Sequence, residues 1–232
     1  MIRLEDVEVQ VPDLAAGPRA RRRILGPLRL ELTEPRIAFI GANGSGKSTL
    51  LRLLNGLVLP DAGRVLVSDL DTRRDGRRIR RQVGFVFTDP LAQLVMATPA
   101  DDVELSLRAT VPERTERRAT ARRLLAERGL EHLADSSVYD LSGGERQLVA
   151  LTSVLACAPS IVVADEPTTL LDLRNRNQVR SALAGLRQQV LVATHDLEMA
   201  ADADRVIVVE DGQVVADGEP AAAIAAYREL MA

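Results

Sequence analysis

A glycine-rich run that contains a lysine, GANGSGKST, occupies residues 41–49 and has the residue types that hold phosphate groups. It fits the pattern GxxxxGK[ST] and lies between the strand-like RIAFI and the helical TLLRLLNG, which is the context that such a loop requires. Its glycines let successive backbone N–H groups turn toward phosphate oxygens at the positive end of the following helix. We expect Lys47 to reach β- and γ-phosphates and the Ser48 hydroxyl to ligate Mg²⁺.

The loop has a purely structural alternative, a glycine-rich turn that only begins a helix, and the flanking strand and helix disfavour it. Thr49 is expected either to pack in that helix or to make a secondary phosphate contact. The predicted phosphate contacts are Gly41, Asn43, Gly44, Ser45, Gly46, Lys47, Ser48 and Thr49.

Two adjacent carboxylates follow a second strand-like run, IVVADEP, at residues 161–167. Because ligands of parallel α/β sheets bind at the carboxyl ends of strands, we expect Asp165 and Glu166 next to the phosphate loop. Asp165 is placed to hold Mg²⁺ through water, and Glu166 to polarise the water that attacks the phosphate. A solvated strand end is the alternative, which the phosphate loop disfavours.

The elements that must position these residues alternate along the chain. Apolar runs predict buried strands at residues 37–40, 84–87, 161–164, 190–193 and 205–209. Helix-like stretches lie at residues 47–55, 144–157, 175–186 and 197–203, and an alanine-rich stretch at 221–226 suits a closing helix. Alternation of this kind predicts an α/β fold, a phosphate-loop NTPase core with a mainly parallel sheet.

Two regions depart from this alternation. Residues 4–11 and 28–32 alternate apolar and polar side chains, which predicts an N-terminal antiparallel β-subdomain. Residues 89–137 lack a strand-like run and carry the charged pattern RTERRATARRLLAERGL, which predicts an inserted α-helical subdomain. We therefore expect one domain over 1–232, with its core at 1–88 and 138–232.

Composition excludes several classes of protein. Among 232 residues the formal net charge is −3, and Cys157 is the only cysteine, which excludes an internal disulfide and a clustered zinc site. The opening MIRLEDVEVQVPD does not resemble a signal peptide, and no apolar run approaches the roughly 20 residues that span a bilayer.

Arginine clusters at 19–23 and 73–81 raise the alternative of a nucleic-acid surface. Aromatic residues make up only 2% of the chain, so few bases could stack, and a solvated surface without a nucleic-acid partner is expected.

The segment LSGGERQLVALTSVLACAPSIVVADEPTTLLD, with LVATHDLEMAADADRVIVVEDGQVVADGEP after it, resembles the ABC ATPase family along essentially the whole chain. The resemblance implies that two ATPase subunits, here a homodimer, pair head to tail and clamp ATP between the phosphate loop of one and the LSGGE segment of the other. Ser142, Gly143 and Gly144 then contribute a second positive helix end for phosphate. His195 matches the switch histidine that contacts the γ-phosphate, and Asp172 the aspartate that communicates across the dimer.

Two positions depart from the family pattern. Thr88 stands where a glutamine usually contacts Mg²⁺. Its shorter hydroxyl cannot span the same distance, so a contact of Thr88 with the metal is expected through a bridging water, with Gln93 as a substitute in another role. Val11 stands about where an adenine-stacking tyrosine is usual. Apolar contact from Val11, or an arginine of 19–23, is then expected to hold the base.

The stretch VGFVFTDPLAQLVMATPADDVELSL resembles the ATPases of energy-coupling factor importers. The matching residues are Asp89, Pro90, Gln93, Leu94, Asp102 and Val103. This implies a peripheral protein on the cytoplasmic face of the membrane, bound to a transmembrane coupling subunit and served by a separate substrate-capture membrane subunit.

Resemblance also ranks the imported substrate. The short stretch after VVADGEP is similar in length to that of biotin-system ATPases, which places biotin first, cobalt or nickel second and the substrate of another bacterial importer third. ABC ATPases of DNA repair or translation are the non-transport alternative, and they usually carry a long coiled coil, a zinc module or a second cassette, for which this chain has no segment. A plain small-molecule phosphotransferase would give LSGGE no role.

Overall fold

The computed structural model of the protein describes residues 1–13, 15–17 and 19–232. These residues form two compact units. Unit 1 consists of residues 1–83 and 189–232, and unit 2 of residues 84–188.

The alternating pattern at the start of the chain forms an antiparallel sheet in unit 1. Its strands lie in the order β2-β1-β4-β5. Apolar side chains on one face of β1, including Ile2, Leu4 and Val9, are buried, because successive residues of a strand point to opposite faces. The strands are β1 (Ile2–Pro12), β2 (Arg21–Leu32), β4 (Ala62–Val67) and β5 (Leu70–Asp71).

A second set of strands in unit 1 has the order β10-β9-β3-β8. Continuous apolar runs form β9, β3 and β8. Strand β3 pairs in parallel with both β8 and β9, and β10 runs antiparallel to β9. The strands are β3 (Arg36–Ile40), β8 (Gln189–Ala193), β9 (Arg205–Glu210) and β10 (Gln213–Gly218). The helices of unit 1 are α1 (Lys47–Leu54), α2 (Gly76–Gln82), α7 (Leu197–Ala201) and α8 (Pro220–Leu230).

Unit 2 is mainly helical around α5, whose Val149, Ala150 and Leu151 are buried. It contains the neighbouring strands β6 (Val83–Val86, which begins at the last residue of unit 1) and β7 (Ile161–Asp165). Its helices are α3 (Pro99–Leu107), α4 (Arg114–Ala126), α5 (Gly143–Ala156) and α6 (Leu173–Ala184), with 3₁₀ turns at Pro90–Ala92 and Glu131–Leu133.

The predicted fold class is confirmed, including the parallel strands and the antiparallel N-terminal sheet. Four elements were not predicted: β4, β5, α2 and β10. Strand β10 alternates between half-buried and exposed residues, and α2 is mostly arginine, so neither carries an apolar run. The boundaries of the helical subdomain at 89–137 stay a prediction, since unit 2 also takes in α5, β7 and α6. Within the described part of the chain, every helix is too short or too polar to cross a membrane.

Candidate functional site

The phosphate loop lies directly between β3 and α1 in unit 1. Gly41 has φ +151°, and a Cβ atom there would lie 2.0 Å from the carbonyl oxygen of Val209, so no other residue fits. Gly44 has φ +84° and faces open space among the described residues, which lets a ligand approach the backbone closely. Helix α1 follows Gly46, which has no side chain to cap the start of the helix. The local backbone therefore suits an anion.

Two side chains inside the loop are prepared for phosphate. Lys47 is only 5% exposed, and its Nζ donates hydrogen bonds to the carbonyl oxygens of Gly41 (2.8 Å) and Ala42 (3.0 Å). The buried Oγ of Ser45 has no hydrogen-bond partner among the described residues. An unpaired buried hydroxyl is unfavourable without a ligand, so Ser45 and Lys47 together fit a phosphate group.

The remaining predicted contacts of the loop lie around these two. Asn43 is exposed, and Ser48 and Thr49 in the first turn of α1 are half-buried. The phosphate roles predicted for them remain predictions.

His195 follows β8, at the same edge of unit 1 as the phosphate loop. Strand β8 pairs in register with β3 up to Phe39 and Ala193, so both strands end together. The backbone N–H of buried Thr194 donates to the carbonyl oxygen of Phe39 (3.0 Å), and the exposed His195 comes next. The structure thus brings the predicted switch histidine to the strand edge from which the loop departs.

The acidic pair lies at the end of β7 in unit 2. Asp165 is 1% exposed, whereas Glu166 is half-buried and has a left-handed backbone with φ +49°. Non-glycine residues rarely adopt this conformation, and it is common at functional sites. The Thr169 hydroxyl donates to Oε2 of Glu166 at 3.4 Å. The Asp165 carboxylate offers the hard oxygen atoms that Mg²⁺ prefers, and this ion needs only one or two carboxylates when substrate phosphates supply the rest, so Asp165 suits the metal role predicted for it. The metal roles of Asp165 and Ser48 stay predictions.

Thr88 has a defined partner that the sequence did not reveal. Its Oγ1 donates a hydrogen bond of 2.8 Å to the backbone carbonyl oxygen of Asp165. The hydroxyl therefore acts on the backbone of the acidic pair, and the metal contact expected of Thr88 stays a prediction.

Gln93 is held by backbone groups at both ends of its amide. Its Oε1 accepts from the N–H of Phe87 (3.1 Å), and its Nε2 donates to the carbonyl oxygen of Ala150 (3.1 Å). Gln147, 2% exposed on α5, donates through Nε2 to the carbonyl oxygen of Phe87 (3.2 Å). Gln93 thus connects the backbone at Phe87 with α5, which is a structural role. Gln147 was missed, and a lone glutamine within the apolar helix QLVAL was the available signal.

A buried carboxylate organises the loop that follows Thr88. Asp102 accepts hydrogen bonds through Oδ1 from the N–H groups of Val95 (2.8 Å) and Met96 (3.1 Å). Its Oδ2 accepts from the Ser153 hydroxyl of α5 at 2.6 Å. Asp102 was singled out by the importer resemblance, and Ser153 was not predicted.

The LSGGE segment begins α5 with a complete capping box. The Ser142 hydroxyl accepts from the N–H of Glu145 (3.3 Å), and Oε2 of Glu145 accepts from the N–H of Ser142 (2.7 Å). The hydroxyl and N–H of Ser142 hold the pKa of Glu145 below its usual value. This box fixes the first turn of α5, in which Gly143 and Gly144 lie.

Asp172 caps the neighbouring helix α6. It accepts through Oδ1 from the N–H of Asn175 (2.8 Å) and through Oδ2 from the Asn175 side chain (3.2 Å). A Cβ at Gly144 would lie 2.4 Å from Cγ of Asn175, so the two helix starts are in close contact. The predicted roles of Ser142, Gly143, Gly144 and Asp172 toward ATP remain predictions.

The expected adenine contacts lie on the paired strands β1 and β2, where Val11 faces Arg22 in register. Arg21 donates to the backbone of Gln10 (2.8 Å) and pairs with Asp61 (2.7 Å). Arg22 is exposed. The adenine contacts expected from Val11 or an arginine of 19–23 remain predictions.

Known proteins resemble the chain along most of its length. It matches the ABC transporter family over residues 28–169. It is 45% identical over 211 residues to the biotin transport ATP-binding protein BioM of Rhizobium etli, which covers 91% of this chain and 94% of that protein. It is 36% identical over 218 residues to the energy-coupling factor transporter ATP-binding protein EcfA1 of Bacillus subtilis, which covers 91% of this chain and 78% of EcfA1.

A solved structure agrees with these relatives. The fold matches, with a TM-score of 0.85 and 30% sequence identity, a dimeric ATP-binding cassette in a post-hydrolysis state bound to ADP and Pi, covering 95% of this chain and 99% of that one. The chain therefore belongs to the ABC transporter family and is one of its ATP-binding, ATP-hydrolysing subunits, of the energy-coupling factor type.

Proposed function

We propose that two copies of this chain bind ATP and Mg²⁺ at a head-to-tail dimer interface and that hydrolysis drives uptake of a micronutrient, biotin, through membrane subunits. The observation that carries the nucleotide site is the phosphate loop, in which a buried Ser45 hydroxyl lacks a partner among the described residues and Lys47 rests on loop carbonyls. Such groups are stabilised when phosphate oxygens reach them.

The side chains of unit 1 hold and sense the nucleotide. Lys47 leaves the carbonyl oxygens of Gly41 and Ala42 to bind β- and γ-phosphate oxygens, and Ser45 donates its hydroxyl to phosphate. His195 contacts the γ-phosphate and reports its presence at the end of β8. Ser48 and Asp165 would hold Mg²⁺, which would neutralise charge on the phosphates.

Glu166 acts on water in this proposal. Its carboxylate accepts a proton from the attacking water and orients that water toward the γ-phosphate. Ser142 to Gly144 of the partner copy bind the same γ-phosphate at the start of α5, with Asp172 close by. Loss of that phosphate then releases the two copies from each other.

Biotin as the imported substrate is supported by the 45% identity with BioM over nearly the full length of both proteins. In this scheme the chain reaches the cytoplasmic face of the membrane through a transmembrane coupling subunit, and a separate membrane subunit captures biotin. Uptake is measured in vesicles that contain all subunits, with labelled biotin and, in parallel, labelled cobalt and nickel. ATP-dependent uptake of a metal ion without biotin uptake would overturn the assignment of biotin as the substrate.

The catalytic assignment is tested with Glu166→Gln. Gln keeps the size of the side chain but cannot accept the proton, so ATP hydrolysis should fall by about 10²-fold or more while ATP binding persists. Hydrolysis is measured by phosphate release and binding by a fluorescent nucleotide. Glu229→Gln, an exposed position on α8, is the matched control and should turn over normally; normal turnover of Glu166→Gln would refute the assignment.

A further inference from the structure

The hydroxyl of Thr88 and the backbone of the acidic pair meet across 77 residues of sequence inside unit 2. The oxygen that Thr88 contacts belongs to the peptide bond between Asp165 and Glu166. We propose that Thr88 is a positioning residue that holds this peptide, and through it the Glu166 carboxylate, in the geometry needed for hydrolysis. The inference rests on the proposed role of Glu166.

Backbone geometry explains how a hydroxyl can orient a side chain it does not touch. Rotation of the peptide plane changes ψ of Asp165 and φ of Glu166 together, and φ of Glu166 sets the direction of its side chain. This φ is +49°, a left-handed conformation that is unfavourable for a non-glycine residue. A restraint on the Asp165 carbonyl keeps the peptide from rotating to a relaxed conformation, so Thr88 stands where such a restraint is needed.

Thr88 is itself held in place by α5. The residue before it, Phe87, donates its N–H to Gln93 and accepts through its carbonyl from Gln147. Gln93 in turn donates to the carbonyl of Ala150 on the same helix. Because Gln147 and Ala150 lie on α5, the helix that begins at LSGGE is connected by hydrogen bonds to Thr88 and so to Glu166. Thr88 therefore transmits the position of α5 to the carboxylate.

The decisive variants are Thr88→Val, which keeps the shape but removes the donor, and Thr88→Ser, which keeps the donor. Without the hydrogen bond from Thr88, the Asp165 carbonyl loses its restraint. The value of kcat for ATP hydrolysis should therefore fall about five- to fiftyfold in Thr88→Val, while KM stays within about twofold of the parent value. Thr88→Ser should restore most of the rate. Thr110→Val, which removes a hydroxyl bonded to the carbonyl of Leu107, is the matched control and should leave kcat unchanged.

A double-mutant cycle separates positioning from a general structural effect. If Thr88 acts through Glu166, adding Thr88→Val to Glu166→Gln should lower kcat further by less than about twofold. Losses that multiply in the double variant, or an equal loss in Thr88→Ser and Thr88→Val, would overturn the inference. Normal turnover of Glu166→Gln alone would instead refute the proposed function.

Hydrogen exchange supplies a readout that does not depend on turnover. In the full chain without nucleotide, amides of residues 165–170 should exchange faster in Thr88→Val than in the parent protein, and at the parent rate in Thr110→Val. Unchanged exchange in Thr88→Val would show that the hydroxyl does not restrain this peptide.

Discussion

At the scale of single residues, the phosphate loop holds polar groups in an arrangement that favours a ligand. The Nζ of Lys47 donates hydrogen bonds to two loop carbonyl oxygens, and these bonds must break if Lys47 takes its proposed role toward phosphate. The Ser45 hydroxyl is buried without a partner among the described residues. The unpaired Ser45 hydroxyl makes the free loop less stable than a loop whose hydrogen bonds are complete, so part of the binding free energy comes from satisfying Ser45.

Ser45→Ala separates folding from binding. Removal of an unpaired buried hydroxyl should leave the free energy of unfolding unchanged or slightly higher, because no hydrogen bond inside the protein is lost. ATP affinity should fall about three- to tenfold, since one donor to phosphate is gone. Urea unfolding and fluorescent nucleotide titration measure the two effects. A clear loss of stability with unchanged affinity would show that the hydroxyl serves the fold and has no role toward phosphate.

At the scale of elements, α5 connects the LSGGE segment with the segment around Thr88. Its first turn is fixed by the Ser142–Glu145 capping box, and its middle holds Phe87 through Gln147. Ser153, further along the helix, bonds to the buried Asp102. The helix α5 therefore has hydrogen bonds both at the LSGGE segment and with the loop after β6, so the positions of both depend on α5.

The capping box predicts a pH dependence. The pKa of Glu145 is lowered in the folded protein, so its ionised form stabilises the fold above the unfolded-state pKa, and this contribution is lost as pH falls toward the folded pKa. Glu145→Gln should therefore unfold more easily than the parent at pH 7, by about 0.3–1 kcal/mol. This difference should shrink as the pH falls below about 4.5.

Urea unfolding at several pH values measures the effect of Glu145→Gln. Glu31→Gln, an exposed position on β2, should show no difference from the parent at any pH. If the free energy of unfolding of Glu145→Gln stayed below that of the parent by the same amount down to acid pH, the cause would be altered packing and not the lost charge.

At the scale of the whole molecule, the segment from Glu166 to the start of α6 exposes apolar side chains. Leu170 is fully exposed with φ +64°, and Leu173 is 64% exposed. They flank Asp172, which caps α6 and is expected to face the partner copy. Burial of such leucines in a dimer would repay their exposure in the monomer.

Leu170→Ser tests this surface. The monomer should keep its free energy of unfolding within about 0.5 kcal/mol, since the side chain buries nothing there. The ATP-dependent dimer of Glu166→Gln should become about tenfold weaker when Leu170→Ser is added, because apolar surface is no longer buried. Sedimentation with and without ATP measures the dimer. Val215→Ser, an exposed position on β10, is the control, and an equal effect of both variants would contradict an interface at Leu170.

The sequence alone determined most of the strands, most helices, and the positions along the chain of the phosphate loop and the acidic pair. These features depend on local patterns: apolar runs in β3 and β7, glycine where backbone must turn at Gly41 and Gly44, and a lysine at fixed spacing. The same patterns could not show β10 or α2, which lack an apolar run and form because neighbouring residues pair with them or pack on them.

Only the tertiary structure decided how the site is held. Tertiary packing forms the hydrogen bond between Thr88 and the Asp165 carbonyl and those of Gln93 and Gln147 with Phe87. It also leaves the buried Ser45 hydroxyl without a partner among the described residues. A threonine in place of the usual glutamine suggested a weakened metal contact from sequence. Its actual partner is a backbone carbonyl 77 residues away, and no local pattern encodes such a pairing because it depends on how distant segments pack together.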